Sequence, residues 1–428
     1  MKIENLRSEK KRDGRTAFSG TVTWEDSGRP VQEVFIETDE AFSEDFTCNP
    51  HAFLVAGLVP AFRHGEKRIS IDAEVCPELR DNLMTALSWL RNWYYPPDRE
   101  LLAIEGKKWS TSIPVNKSRR AGMFFSGGVD SLAGLRYNRL NYPSDHPASI
   151  KDALFIYGQN IESDNRPEIY ENAIKSFSKV VDETGITIIP IYTNIRSLDE
   201  DPKFFADQFH GAILGAVAHT FVKRLGIVYI SATDDIPSLV LQGQGIKYCK
   251  PWGSHPMLDP NYSSTDLRIR HDALQLSRFE KMKTVAGWDA GLQIIKVCGD
   301  NFPGENCGTC EKCIRTSLAL LALGVLDKTN AFPLNDISEA HIADFSLRLD
   351  TDYDWTNQHQ YLELIPHLAK IGRQDLVQAV GQLVELSRNP KKPLKTKIWE
   401  FDQKHLDGSL TKIKKQVLFE KTKSDDTD

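Results

Sequence analysis

The chain has 428 residues, room for two or three domains with real cores. Hydrophobic residues make up 40% and charged residues 26%, with 27 Gly and 21 Pro, a composition that excludes wholesale disorder, collagen-like repeats and a coiled coil. Lys+Arg 53 against Asp+Glu 59 leaves a net charge of −6, so any nucleic-acid contact must use a local patch rather than an overall basic excess.

The charged start, Met1 to Arg7, resembles the beginning of a signal peptide, but no apolar core follows it. No apolar run reaches the ~20 residues needed to span a bilayer. A cytoplasmic protein without membrane contact is expected. Residues 1–118 read as an α+β accessory domain. Strands are predicted over 16–24, 31–38 and 68–72, where β-branched and aromatic residues partly alternate. An amphipathic helix is predicted over 77–94, with Leu79, Leu83, Ala86, Leu87 and Leu90 on one face, ended by Pro96-Pro97. Lys117-Ser-Arg-Arg120 is a basic junction.

From residue 119 to 327 the pattern becomes βαβ. Strands are predicted over 121–125, 153–157, 186–192, 227–231 and 292–297, and helices over 130–140, 168–184, 204–225 and 272–286. Strands about 30–40 residues apart with helices between them imply a parallel sheet, whose ligands bind at the carboxyl ends of the strands. Residues 328–428 read as a helical domain, with periodicity over 361–369 and 374–387. Between Arg388 and Gln416 nine Lys/Arg face three acids. A solvated basic surface is the simpler reading and a docking patch for an anionic partner the sharper one. The tail 423–428 is expected to be disordered.

The strongest local signal is Ser126-Gly127-Gly128-Val129-Asp130-Ser131, between a strand and a helix. Two glycines let consecutive N–H groups turn toward one anion, and the helix N-terminus adds a positive dipole end. Ser126 and Ser131 can donate hydroxyl hydrogen bonds to phosphate, and Asp130 can serve Mg²⁺. The pattern is neither Walker A nor G-x-G-x-x-G, so γ-phosphate transfer and dinucleotide redox chemistry are not expected.

Four of the seven cysteines form a second signal: Cys298, Cys307, Cys310 and Cys313, spaced C-x₈-C-x₂-C-x₂-C. Four thiolates at such turns suit tetrahedral Zn²⁺ in a closed, structural site. An iron–sulfur cluster is the competitor; zinc is preferred because the ferredoxin ending C-x₃-C-P is absent. Cys48, Cys76 and Cys249 read as ordinary thiols.

The S-G-G-x-D-S loop resembles the PP-loop of the ATP pyrophosphatases. With the cysteine pattern about 170 residues later, it is similar to the 7-cyano-7-deazaguanine synthase (QueC-like) family. Phe155-Ile-Tyr157-Gly158-Gln159 is similar to a family strand ending in Tyr-Gly-Gln. Arg315 matches an arginine that the family places after its last cysteine. Lys281 stands where PP-loop enzymes carry a phosphate-binding lysine. The resemblance covers about 121–320. It implies ATP, Mg²⁺ and Zn²⁺ as cofactors, Tyr157 and Gly158 beside the nucleotide, and adenylation of 7-carboxy-7-deazaguanine or a similar carboxylate before C–N bond formation. Lys281 and Arg315 are the expected cations, and His271 and Asp272 the candidates for proton transfer. His210 reads as a packed histidine.

The family's orthodox members are about half this length. In place of their base-pocket stretch the chain carries 233–239, 243–245 and a 252–260 segment with Trp252, His255 and Asp259, either a rebuilt substrate wall or a rigid loop. Long QueC-like proteins resemble those of bacterial anti-phage systems (Qat type). This implies a role in defence, with a protein partner or protein amine as acceptor. The alternatives are orthodox synthesis of the queuosine precursor and a non-catalytic nucleotide-sensing module. A tRNA thiolase is more distant, with Cys249 its one candidate for handling sulfur.

Overall fold

Strands buried on both faces need covering helices, and the apolar runs of 121–231 supply both. A computed structural model describes residues 1–109, 119–158, 167–243, 246–249, 251–299, 304–343 and 358–388. Gln159, residues 117 and 118 of the basic junction, nearly all of the basic 388–416 stretch and the tail lie outside them. The chain is α/β. Its strands are β1 (Lys2–Lys10), β2 (Thr16–Thr23), β3 (Gln32–Thr38), β4 (Arg68–Val75), β5 (Ala103–Lys108), β6 (Arg120–Phe124), β7 (Ile150–Tyr157), β8 (Thr187–Thr193), β9 (Leu225–Ser231), β10 (Val240–Gly243), β11 (Ile246–Cys249) and β12 (Arg268–Asp272).

Ten strands form one sheet in the order β12-β9-β6-β7-β8-β3-β2-β1-β4-β5; β10 and β11 form a separate hairpin. The five strands from β12 to β8 are mutually parallel. From β6 the chain steps to β7 and β8 on one side, then to β9 and β12 on the other. The carboxyl end of β6 therefore lies at the point where the strand order reverses, the place where such sheets open a ligand crevice.

The sheet does not stop at the expected 118/119 boundary. β3 pairs antiparallel with β8, with Ile36 opposite Thr193 and Thr38 opposite Ile191, and β2, β1, β4 and β5 continue beyond it. Met1–Ile337 form one compact unit. Residues 328–337 belong to it as well: the Thr329 hydroxyl donates to Leu292 O at 2.8 Å. A second unit begins at Ser338, and its described residues form helices Glu339–Ala343, Gln358–Lys370 and Gln374–Arg388. Among the described residues no helix is long and apolar enough to cross a membrane.

Three expected elements differ. The predicted helix 272–286 begins later: Asp272 ends β12, 273–277 turn, and the helix is Arg278–Ala286. The Ser277 side chain accepts from Glu280 N and Glu280 caps Ser277 N in return, which fixes the helix start there. The predicted strand 292–297 is irregular; its amides Val297 and Cys298 donate to the Asn306 carbonyl oxygen instead of to a neighbouring strand. The predicted helix 204–225 runs through a π turn at Phe205–Phe209 and ends as an α-helix at His210–His219.

Helix His51–Arg63, absent from the sequence reading, is buried from His51 to Phe62 and crosses helix His210–His219. His51 and His219 meet at this joint with ring centroids 5.7 Å apart. Burial, the largest influence, pushes His51 from its ordinary 6.5 down to about 3 and His219 down to about 4. Both are neutral when folded, and the unfolded chain binds more protons below pH 6.5. Stability should therefore be level above pH 6.5 and fall as pH drops below it, by about 2 kcal/mol per histidine between pH 7 and pH 5. Urea titrations at both pH values test this; an unchanged pH slope in a His51→Asn/His219→Asn double variant would rule the pair out.

Candidate functional site

β6 ends at Phe124, and the helix Val129–Asn141 begins after Gly128, which is extended at φ −75° and ψ 163°. Gly127 between them has φ +72°, and a Cβ there would lie 2.7 Å from the Phe177 ring. The serines brace the turn. Gly128 N–H donates to Ser126 Oγ at 3.2 Å, Ser126 N–H to Ser131 Oγ at 3.3 Å, and Ser131 Oγ to Gly128 O at 3.0 Å. The loop is thus preformed, with both hydroxyls inside it, at the head of a 13-residue helix.

The loop opens into a cavity of about 330 Å³, lined by Ser126, Asp130 and Ser131 on one part and by Phe124, Phe125, Leu154, Phe155, Ile156 and Tyr170 on another. His210, Ser231, Thr233, Ser254 and His271 complete the polar lining. Ser231 Oγ is buried and makes no hydrogen bond, so it offers a polar contact to an occupant. The volume falls within the range of small-molecule sites.

Lys281 lies behind the loop, fully buried on helix Arg278–Ala286. Its ammonium donates to Ala232 O at 2.6 Å and Thr233 O at 3.3 Å, and stands 3.8 Å from Asp130 Oδ1. Burial, the largest influence, pushes its pKa below the usual lysine range against the pull of Asp130. Arg278, from the same Ser277–Lys281 stretch that offers candidate positive groups in the sequence, pairs with Asp130 at 2.7 Å. Asp130 thus faces two cations from helix Arg278–Ala286, neither of them among the residues that line the cavity.

The remaining candidates divide. His271 reaches the cavity. Asp272, its neighbour on β12, is not among the lining residues, and burial pushes its carboxyl above the usual carboxylate range. Tyr157 belongs to a smaller hollow beside the cavity, with Tyr170 at 4.4 Å and Tyr192 at 5.8 Å between ring centroids. Gly158 follows it at φ +104°, where a Cβ would sit 1.8 Å from Thr193 O. Arg315 is not among the cavity residues either; its guanidinium faces Glu311 at 3.3 Å on helix Glu311–Ala322.

Two further groups reach the site, His210, which the sequence reading took as a packed histidine, and the 252–260 segment, which it left as a substrate wall or a rigid loop. His210 lines the cavity, and its Nδ1 donates to Phe205 O at 3.1 Å. Burial pushes its pKa down. The 252–260 segment supplies Ser254 to the wall, and Asp259 to Ser254 and His271. Gly253 N–H donates to Ala206 O, a carbonyl in the π turn, and Gly211 N–H donates to Gly253 O, both at 3.0 Å. A Cβ on Gly211 would lie 2.4 Å from Gly253 O, so only glycine permits this close approach.

Cys298, Cys307, Cys310 and Cys313 bring their sulfurs within 4.8 Å of one another. Cys307 and Cys313 are 3.9 Å apart, and Cys298 and Cys310 4.0 Å. A tetrahedron with metal–sulfur bonds of about 2.3 Å has edges of about 3.8 Å, so the cluster can hold a metal such as zinc. The Thr309 and Cys310 amides donate to Cys307 Sγ at 3.4 and 3.2 Å, as expected around a thiolate. Asn306 is the residue that sequence spacing overlooked. Its side chain accepts from Val297 N and Cys298 N and donates to Ile295 O and Ala331 O. The Cys298 arm also reaches the Ser126–Ser131 turn, where Lys296 N–H donates to Gly127 O at 2.9 Å.

No protein-family model, curated protein or solved structure matches the chain.

Proposed function

We propose that the chain is an ATP-dependent, AMP-forming ligase of the QueC-like kind, which adenylates a carboxylate and joins the acyl group to nitrogen. The observation that carries this reading is the braced Ser126–Ser131 turn, set at the switch point of the sheet, opening on the cavity and backed by Lys281. A carboxylate oxygen attacks the α-phosphorus of ATP and pyrophosphate leaves. An amine nitrogen then attacks the acyl carbon and AMP leaves. The loop amides and Lys281 offset the charge that develops on the phosphates. Asp130 with the ATP phosphates suits Mg²⁺, which takes few protein ligands. The cysteine cluster suits structural Zn²⁺.

The apolar wall from Phe124 to Phe155 favours a flat, aromatic carboxylate, and 7-carboxy-7-deazaguanine is the substrate proposed. The 252–260 segment, read as a rebuilt substrate wall that lends Ser254 to the cavity, supports an acceptor larger than ammonia: a protein amine, in a cytoplasmic anti-phage system. Exchange of labelled pyrophosphate into ATP tests the first step. Exchange that requires 7-carboxy-7-deazaguanine is expected, followed by a mass adduct on the acceptor. Free nitrile formed from ammonia alone would favour queuosine-precursor synthesis, and ATP binding without pyrophosphate release would favour a nucleotide sensor.

A further inference from the structure

His271 comes from β12, where it pairs with Ile230 of β9, and it is 5% exposed. Its Nδ1 lies 2.6 Å from Asp259 Oδ2. The same oxygen accepts the Ser254 hydroxyl at 2.7 Å, and Asp259 Oδ1 accepts the His255 amide at 3.3 Å. Asp259 is fully buried. A carboxylate fixed this way holds the proton on Nδ1 and leaves the lone pair on Nε2. His271 lines the cavity that the phosphate loop also lines.

We propose that His271 is the base of the second half-reaction and Asp259 its positioning residue. The inference rests on the ligase reading and assigns a step within it. An amine must shed a proton as it attacks the acyl-adenylate. The C–N bond forms, the carbon–oxygen bond to AMP breaks with its electron pair going to AMP, and the proton on nitrogen passes to His271 Nε2. The buried Asp259 carboxylate stabilises the resulting imidazolium. Adenylation needs no such proton transfer, because the attacking carboxylate is already ionised. The two half-reactions should therefore respond differently to loss of the dyad. The titratable groups facing His271 are Asp259 from the loop, His210 from the crossing helix and Asp272 beside it on β12.

The test uses the full chain, 7-carboxy-7-deazaguanine and ATP, with glycinamide and hydroxylamine as acceptor probes. His271→Gln should keep pyrophosphate exchange within about threefold of wild type while transfer to glycinamide falls about 100-fold or more. Raising the pH should restore part of it, because hydroxide and buffer bases then take the proton that the attacking nitrogen sheds. Transfer to hydroxylamine should fall far less, because its weakly basic nitrogen gives up the adduct proton to water more readily. Asp259→Asn should follow the same pattern more weakly, about tenfold, with the pH profile displaced. Equal loss of exchange and transfer in a folded His271→Gln protein, or no loss of transfer, would overturn the assignment. Exchange lost only in Asp259→Asn would mark a folding defect of that variant and leave the decision to His271→Gln. Absence of exchange in wild type would overturn the ligase reading, and this step with it.

Discussion

Replacing Cys313 with Ser should lower the melting temperature by about 6 °C or more and abolish stoichiometric metal binding. Cys313 is fully buried, and its sulfur completes the set of four. Structural Zn²⁺ in a four-thiolate shell contributes on the order of 10 kcal/mol, and losing one ligand should forfeit at least about 4 kcal/mol of that. For a unit of this size about 4 kcal/mol corresponds to the stated shift. The damage should also travel. The Cys298 arm is held by Asn306, and two residues before Cys298 the amide of Lys296 binds the Gly127 carbonyl. Releasing the cysteine cluster should loosen the Ser126–Ser131 turn, so, on the proposed ligase reading, ATP affinity should fall at least tenfold. Calorimetry, elemental analysis and nucleotide titration read the three effects. A variant that melts like wild type and retains a full equivalent of zinc would show the cluster to be dispensable.

Lys281→Met should reduce pyrophosphate exchange about 1000-fold while leaving the protein folded. The ammonium is held by two carbonyls and sits 3.8 Å from Asp130 at the loop. Met matches its length and needs no solvation, so the fold should lose only the bonds to Ala232 O and Thr233 O, about 1–3 kcal/mol. Arg278, whose side chain is 16% exposed beside Asp130, gives the comparison. Arg278→Gln should cost exchange about tenfold, because water and Lys281 cover part of its role. A Lys281→Met protein within tenfold of wild type would remove Lys281 from the phosphate site.

Both of these sites were legible in the sequence because each is local. The turn is six consecutive residues between a strand and a helix, and the cysteines fall within 16 positions. What escaped notice depends on pairing across the fold. Asp259, Ser254 and His271 meet because β12 lies against β9 and because the loop is pinned to the π turn by Gly211 and Gly253. β12 itself, Arg268-Ile-Arg-His-Asp272, shows little apolar alternation, because it lies at one end of the sheet and buries mainly Ile269. The run Ile294-Ile295-Lys296-Val297 looks like a core strand, yet its apolar side chains are buried where Asn306 has taken the amides that a neighbouring strand would need. Helix His51–Arg63 left no amphipathic trace, since it is buried on every side. β1 is broken by a bulge at Asn5, φ +54°, which spoils its alternation.

The pairing of β3 with β8 has a consequence for how the protein can be divided. A chain cut to the parallel strands β6 to β9 and β12 would not be a smaller version of this protein. It would lay bare the hydrogen-bonding rim of β8, where Ile191 and Thr193 now meet Thr38 and Ile36, and offer that rim to any other strand in solution. The first hundred residues act as a selvedge: they finish the weave beside the site, and the cloth frays without them.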